Sequence, residues 1–316
     1  MENIDEASGW RLKMEKEMEN KMEKKNSLGK GIACILTAAF FFSMMTMFVR
    51  LAGNLPTFEK AFFRNFVAVF VAIIAILRSK DGFKKSIKIE NKNIALLFFR
   101  CLFGTFGLIC NFYAIDKINI ADANMLNKLS PFFAIIMSIF IIKEIPKKND
   151  IIAVICAFVG AFFVIKPSGN AELLPALIGL LGGFLAGSAY TCVRLLGVRG
   201  VKGPVIVLAF SLFSCLTTFP LFLLDFEPMS IEQFLCLLAA GLVASIAQFA
   251  ITAAYKYAPA REISVFDYSQ IVFATIWGAC IFGEIPDIYS FIGYGIIFLT
   301  VIIRWLYLKR VTRLAE

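Results

Sequence analysis

The chain contains no histidine. That removes imidazole metal ligands, Ser–His and Cys–His catalytic pairs and histidine proton relays together. Charge is also scarce, at 17% of residues, where soluble domains carry about a quarter. The eight cysteines form no C-x-x-C pair and no metal-ligand spacing, so they read as small buried apolar residues. No G-x-x-x-x-G-K-[ST] loop is present, and an ATPase step of its own is therefore not expected. These gaps leave no expected cofactor, no metal site and nothing that marks a nucleic-acid partner. Residues 1–29 are too long and too mixed in charge for a secretory signal, so the first apolar run is expected to remain as a membrane span.

What the chain has in quantity is hydrocarbon, with 59% apolar residues. Uncharged runs of about 20 residues cross a bilayer as helices. Ten such runs are expected, near 30–50, 57–78, 93–115, 119–142, 150–166, 172–194, 203–224, 232–255, 262–283 and 287–307. The class is an all-α membrane protein. A charged tail over 1–29 and a short C-terminus over 308–316 flank it, and Met14, Met18 and Met22 mark the tail as a candidate surface helix.

Lysine and arginine alternate between connections. The N-terminal tail, the second connection (Arg78 to Lys92), the fourth (Lys143, Lys147, Lys148), the sixth (Arg194, Arg199, Lys202), the eighth (Lys256, Arg261) and the C-terminus are basic. The odd-numbered connections hold only Lys117 and Lys166. Basic connections stay in the cytoplasm, which places both termini there and the protein in a bacterial inner or plasma membrane.

Two motifs recur in order. VRLAG at 49–53 returns as VRLLG at 193–197, and KEIP at 143–146 returns as GEIP at 283–286, with offsets of 144 and 140 residues. Duplication explains both, with one five-helix unit over 30–166 and a second over 172–307. Five is odd, so the second unit enters the membrane from the opposite face. Inverted repeats of this kind recur in secondary transporters, with the cargo site near the midplane between the halves.

The stretches AIDKINIADANMLNKLSPFFAIIMSIFIIKEIP (114–146) and YKYAPAREISVFDYSQIVFATIWGACIFGEIP (255–286) resemble the drug/metabolite transporter superfamily, EamA type. In that family each half ends with a helix that has a small-residue start, a mid-helix proline and a following glutamate. Pro131 and Glu144 fit, Glu284 fits, and Ile271 stands where the second proline is expected. Arg64 matches a further family feature. The resemblance implies a fold and transport, and it names no cargo.

Polar residues inside the spans are where a cargo site is sought, because charge at the bilayer centre normally faces a bundle interior or a water-filled cavity. Lys128 lies near mid-membrane on one face with Asn124 and beside Asn127. Arg100 and Asn111 lie in the third span, Tyr190 in the sixth, Gln248 in the eighth, and Tyr268 and Gln270 in the ninth. These nine are the candidate substrate-binding residues. Arg64 reads equally as a gate or as a tie to Glu59, and Lys128 has an internal pairing with Asp267 as its alternative. Asp267 reads as the sole carboxylate deep in a span, which makes it the candidate coupling residue. Gly179, Gly183 and Gly187 form a smooth stripe suited to close helix packing.

The expected function is a secondary transporter that moves a small organic metabolite by alternating access. The cargo reads as an amino acid or metabolite anion, taken as exported, because interior charge leans positive. The alternative is a polytopic membrane enzyme or lipid-handling protein, which would want a catalytic cluster at one membrane face. Partners are the small-molecule substrate and membrane lipids, with a homodimer left open.

Overall fold

The structure, a computed structural model, describes residues 28–78, 89–141, 148–165, 173–257 and 260–315. Ten of its helices are long and apolar enough to cross a membrane. They are span 1, Leu28–Leu51; span 2, Thr57–Leu77; span 3, Asn91–Lys117; span 4, Ile120–Ile141; span 5, Lys148–Ile165; span 6, Leu173–Gly197; span 7, Gly203–Leu224; span 8, Ile231–Ile251; span 9, Val265–Phe282; and span 10, Ile288–Tyr307. No strand occurs among the described residues. The reason is local: in hydrocarbon a backbone N–H or C=O finds no water, so an uncharged run must satisfy its own polar groups as a helix. Outward faces carry Phe70, Leu77, Phe140, Leu216 and Leu224, each at least half exposed, as lipid contact requires.

The helix of span 10 continues as Ile288–Ala315, through the segment read as a separate C-terminus. A helix bonds within itself, so it can leave the apolar layer without ending. The surface helix expected around Met14–Met22, Glu144 and Lys85 lie outside the described residues. At the turn between spans 1 and 2, Gly53 adopts φ 69°, a left-handed conformation that glycine takes without strain, and Pro56 caps span 2.

Spans 2 and 7 pack along each other, as do spans 5 and 10, and span 3 packs against span 6. The first two pairs are corresponding helices of the two units, so the halves meet through matched elements. The glycine stripe of span 6 makes the closest approach. A Cβ on Gly183 would stand 2.5 Å from the Leu126 carbonyl oxygen, and one on Gly187 would stand 2.5 Å from that of Ser130. Close packing is therefore the stripe's role.

Spans 4 and 9 are broken. Span 4 is a helix over Ile120–Asn127 and another over Ser130–Ile141. Span 9 takes in the end of a helix over Ala260–Asp267, a second helix over Ser269–Trp277 and a π-turn over Gly278–Phe282. The breaks fall at Lys128 and Tyr268, 140 residues apart, which is the offset of the KEIP and GEIP motifs. Pro131 accounts for the first, since it has no N–H to offer the Asn127 carbonyl. The second forms without a proline: the Ile271 N–H bonds to the Tyr268 carbonyl at 3.0 Å, a tightened i to i+3 turn.

Candidate functional site

The two breaks face each other. Lys128 Nζ donates to Asp267 Oδ2 at 2.5 Å, and the Tyr268 hydroxyl donates to the Lys128 carbonyl at 2.8 Å. Gln270 Nε2 donates to Asn124 Oδ1 at 2.7 Å, and Asn124 Nδ2 donates to Thr46 Oγ1 of span 1 at 3.3 Å. A broken helix leaves main-chain groups without helical partners, and here a side chain from one half satisfies one in the other half. Lys128, Asn124, Tyr268, Gln270 and Asp267, chosen separately from the sequence, thus converge on one joint. Lys128 takes the internal pairing that was its alternative reading. Asp267 Oδ1 is buried without a hydrogen-bond partner.

A second cluster lines a separate, partly open cavity of about 60 Å³. Spans 2 and 3 of the first half and spans 7 and 8 of the second enclose it. Arg64 and Arg100, each only 8% exposed, project into it. Both guanidiniums stack on the Phe210 ring, with Cζ 5.8 Å and 4.5 Å from its centroid. Arg64 donates to Asn65 Oδ1 at 2.7 Å and makes no pair with Glu59. Asn65 is held in turn by Ser214 Oγ at 2.8 Å. Nε of both arginines and the Ser211 hydroxyl are buried without hydrogen-bond partners. Gln248 and Ser245 complete the polar lining, and the remaining wall is mostly apolar.

The expected residues thus divide. Arg100 and Gln248 line the cavity, and the half-exposed Tyr190 lies within electrostatic range of both arginines. Asn111 is buried with Oδ1 unpartnered, away from the cavity lining. Asn127 is half-buried against Gly183. Arg64 belongs to the cavity as fully as Arg100, although the sequence left its role open. Asp267 is part-buried, with its side chain 15% exposed, and two carboxylates near span starts are more enclosed: Glu59 in span 2 is fully buried, and Asp122 in span 4 is 6% exposed and accepts from the Tyr294 hydroxyl at 2.6 Å.

The cavity runs from the two arginines toward Gly203 and Pro204 at the start of span 7 and Phe249 near the end of span 8. The opposite end of the bundle is tied. Arg50 at the end of span 1 pairs with Glu284 after span 9, and Arg50 also donates to the carbonyls of Ile115 and Ile118. Glu284 Oε2 accepts the Ile120 N–H at 3.0 Å. Lys60 Nζ bridges Asp116 Oδ1 at 2.7 Å and the Gly53 carbonyl at 2.6 Å. The first VRLAG motif and the second E-I-P motif therefore meet. Sequence comparison alone paired each motif with its own copy and gave no sign of this contact.

The model of the EamA-like transporter family matches the chain twice, over residues 29–166 and 173–306. The pseudopaline exporter CntI of Pseudomonas aeruginosa is 31% identical over 270 residues, which is 84% of this chain and 92% of the exporter. A riboflavin transporter of Vibrio cholerae is 26% identical over 280 residues, 86% of this chain and 91% of its own. A crystal structure superposes with a TM-score of 0.61 at 18% identity, covering 90% of this chain and 99% of that one, and so shares the fold.

Proposed function

Because this chain belongs to the EamA-like transporter family, we propose that it moves a small organic anion out of the cytoplasm by alternating access of a cavity between two inverted halves. The observation that carries the reading is the cavity itself, built from matched helices of both halves and holding two buried guanidiniums. Sites of this kind, near the midplane where the repeats meet, are how inverted-repeat carriers bind. In this reading the basic connections and both termini face the cytoplasm. The end holding Gly203, Pro204 and Phe249 then faces inward and the Arg50–Glu284 end faces outward, so in this reading the cavity lies toward the side from which an exporter loads. The similarity to a protein named as a pseudopaline exporter agrees with that direction.

Arg64 and Arg100 bind the anion in this account, Gln248 and Tyr190 orient it, and the broken spans 4 and 9 form the joint on which the halves turn. Asp267 is the group that couples turning to protons: it sits in that joint, and one of its oxygens has no hydrogen-bond partner.

The test begins with a thermal-stability screen of the purified chain against amino acids, nucleotides and organic anions, because a ligand that binds the folded state raises its apparent Tm. A hit is then followed in proteoliposomes. Arg100→Gln is expected to lower its transport at least tenfold, equivalent to ~1.4 kcal/mol. Unchanged transport by a well-folded Arg100→Gln protein would remove the cavity from the mechanism.

A further inference from the structure

Resting on the cavity as the cargo site, we infer that the cargo carries two negative charges close together on a small carbon skeleton, as a short dicarboxylate or a phosphate monoester does. The basis is a mismatch of charge. Other buried and part-buried cations of the spans reach a carboxylate: Arg50 meets Glu284, Lys60 meets Asp116, Lys128 meets Asp267 and Arg304 meets Asp150. Arg64 and Arg100 reach none among the described residues, although each is more than nine-tenths buried. A buried charge without a counter-charge is costly, and its cost grows as water is excluded.

The cavity is therefore built around a charge that the protein does not supply. A single carboxylate would offset one guanidinium and leave the other uncompensated. A zwitterion such as a neutral amino acid brings its own ammonium, so the sum within the cavity stays positive. Two negative charges close the balance, and the shared Phe210 ring holds both guanidiniums within reach of one small molecule. A guanidinium presents its N–H groups as a planar fork that suits the paired oxygens of a carboxylate or phosphate. The Ser211 hydroxyl, buried in the lining without a partner, is a further donor for those oxygens. Ala68, Val71, Pro204, Val207 and Phe249 form walls for the carbon skeleton.

The test uses the full-length chain in detergent at fixed ionic strength, with thermal unfolding as the readout. The probes are succinate, glutarate, butyrate, valerate, glycerol phosphate, inorganic phosphate and succinamide. The dicarboxylates or the phosphates are expected to raise the apparent Tm at concentrations where butyrate, valerate and succinamide do not. Stabilisation by one group and not the other identifies which oxyanion the cavity takes, and either result supports the inference. Arg64→Gln and Arg100→Gln should each abolish the stabilisation. Without ligand each should unfold no lower than the parent, because an uncompensated buried charge has been removed.

Arginine-dependent stabilisation by butyrate or valerate equal to that by succinate would overturn the dianion inference and leave the cavity as a cargo site. Stabilisation that persists in both arginine variants would place the anion elsewhere and overturn both. So would the absence of any stabilisation combined with a lower Tm for the ligand-free variants, since the arginines would then be structural.

Discussion

Removing Lys128 alone is expected to damage the fold more than removing Lys128 and Asp267 together. The pair is enclosed, with side chains 10% and 15% exposed and Nζ 2.5 Å from Oδ2. Taking away one partner of a buried pair strands the other charge and costs about 3–5 kcal/mol. Replacing both by apolar groups of similar volume is often neutral or stabilising, since the pair no longer has to be desolvated. Asp267 makes this outcome more favourable, because its Oδ1 is buried without a hydrogen bond and the pair is incompletely satisfied. Lys128→Met and Asp267→Leu should therefore each lose about 3 kcal/mol or more, and the double variant should return to within about 1 kcal/mol of the parent. The Tyr268 hydroxyl bonds to the main chain at Lys128, so that contact survives in Lys128→Met and keeps the two breaks in register. Reversible unfolding in mixed micelles, followed by circular dichroism across the double-mutant cycle, measures the coupling. Losses that simply add would show that the two side chains do not depend on each other, and the joint would have to be held by its main-chain contacts alone.

Single cysteines placed at Lys85 and Lys148 of a cysteine-free chain should be shielded from an impermeant thiol reagent in intact cells, while one at Pro228 should react; labelling at Lys85 from outside would reverse the orientation. In proteoliposomes, Asp267→Asn should abolish uphill transport driven by a pH difference and leave downhill movement of the same cargo. Accumulation by the Asn variant under a pH difference alone would exclude Asp267 as the coupling group. Gly187→Val should lower unfolding stability by about 1–3 kcal/mol through overpacking, because its Cβ would meet the Ser130 carbonyl oxygen at 2.5 Å; stability equal to the parent would mean that span 6 can move aside without cost.

Much of the scaffold was legible because a bilayer allows few solutions. Apolar length gave the ten spans, and the two motif pairs gave the repeat. The joint between spans 4 and 9 was visible in part, since a lysine and amides within span 4 and a carboxylate and amide in span 9 need partners and the candidates are few. The cavity was harder to read. Arg64 and Arg100 stand 36 positions apart in different helices, and their meeting over Phe210 depends on how spans 2, 3 and 7 cross. No periodicity within a single helix encodes that crossing. The Arg50–Glu284 tie was hidden for a related reason: both residues lie in motifs whose similarity marks descent, and similarity between copies says nothing about which copy touches which.

The positions at which the two halves differ suggest why a duplicated carrier has a one-sided site. The breaks correspond, yet Lys128 stands opposite Tyr268, and Asn127 corresponds to Asp267 at the same 140-residue offset. On the 144-residue offset of the first motif, Arg100 corresponds to Ala244, which lines the same cavity. The first half supplies both guanidiniums and the second supplies the aromatic ring against which they lie. Were the second copy to carry arginine at Ala244 as well, the cavity would hold three like charges in a low-dielectric layer, and their repulsion would work against packing spans 2 and 3 on spans 7 and 8. In the proposed mechanism, matched backbones with unmatched side chains would let the halves exchange similar conformations while presenting the cargo with a single charge pattern throughout.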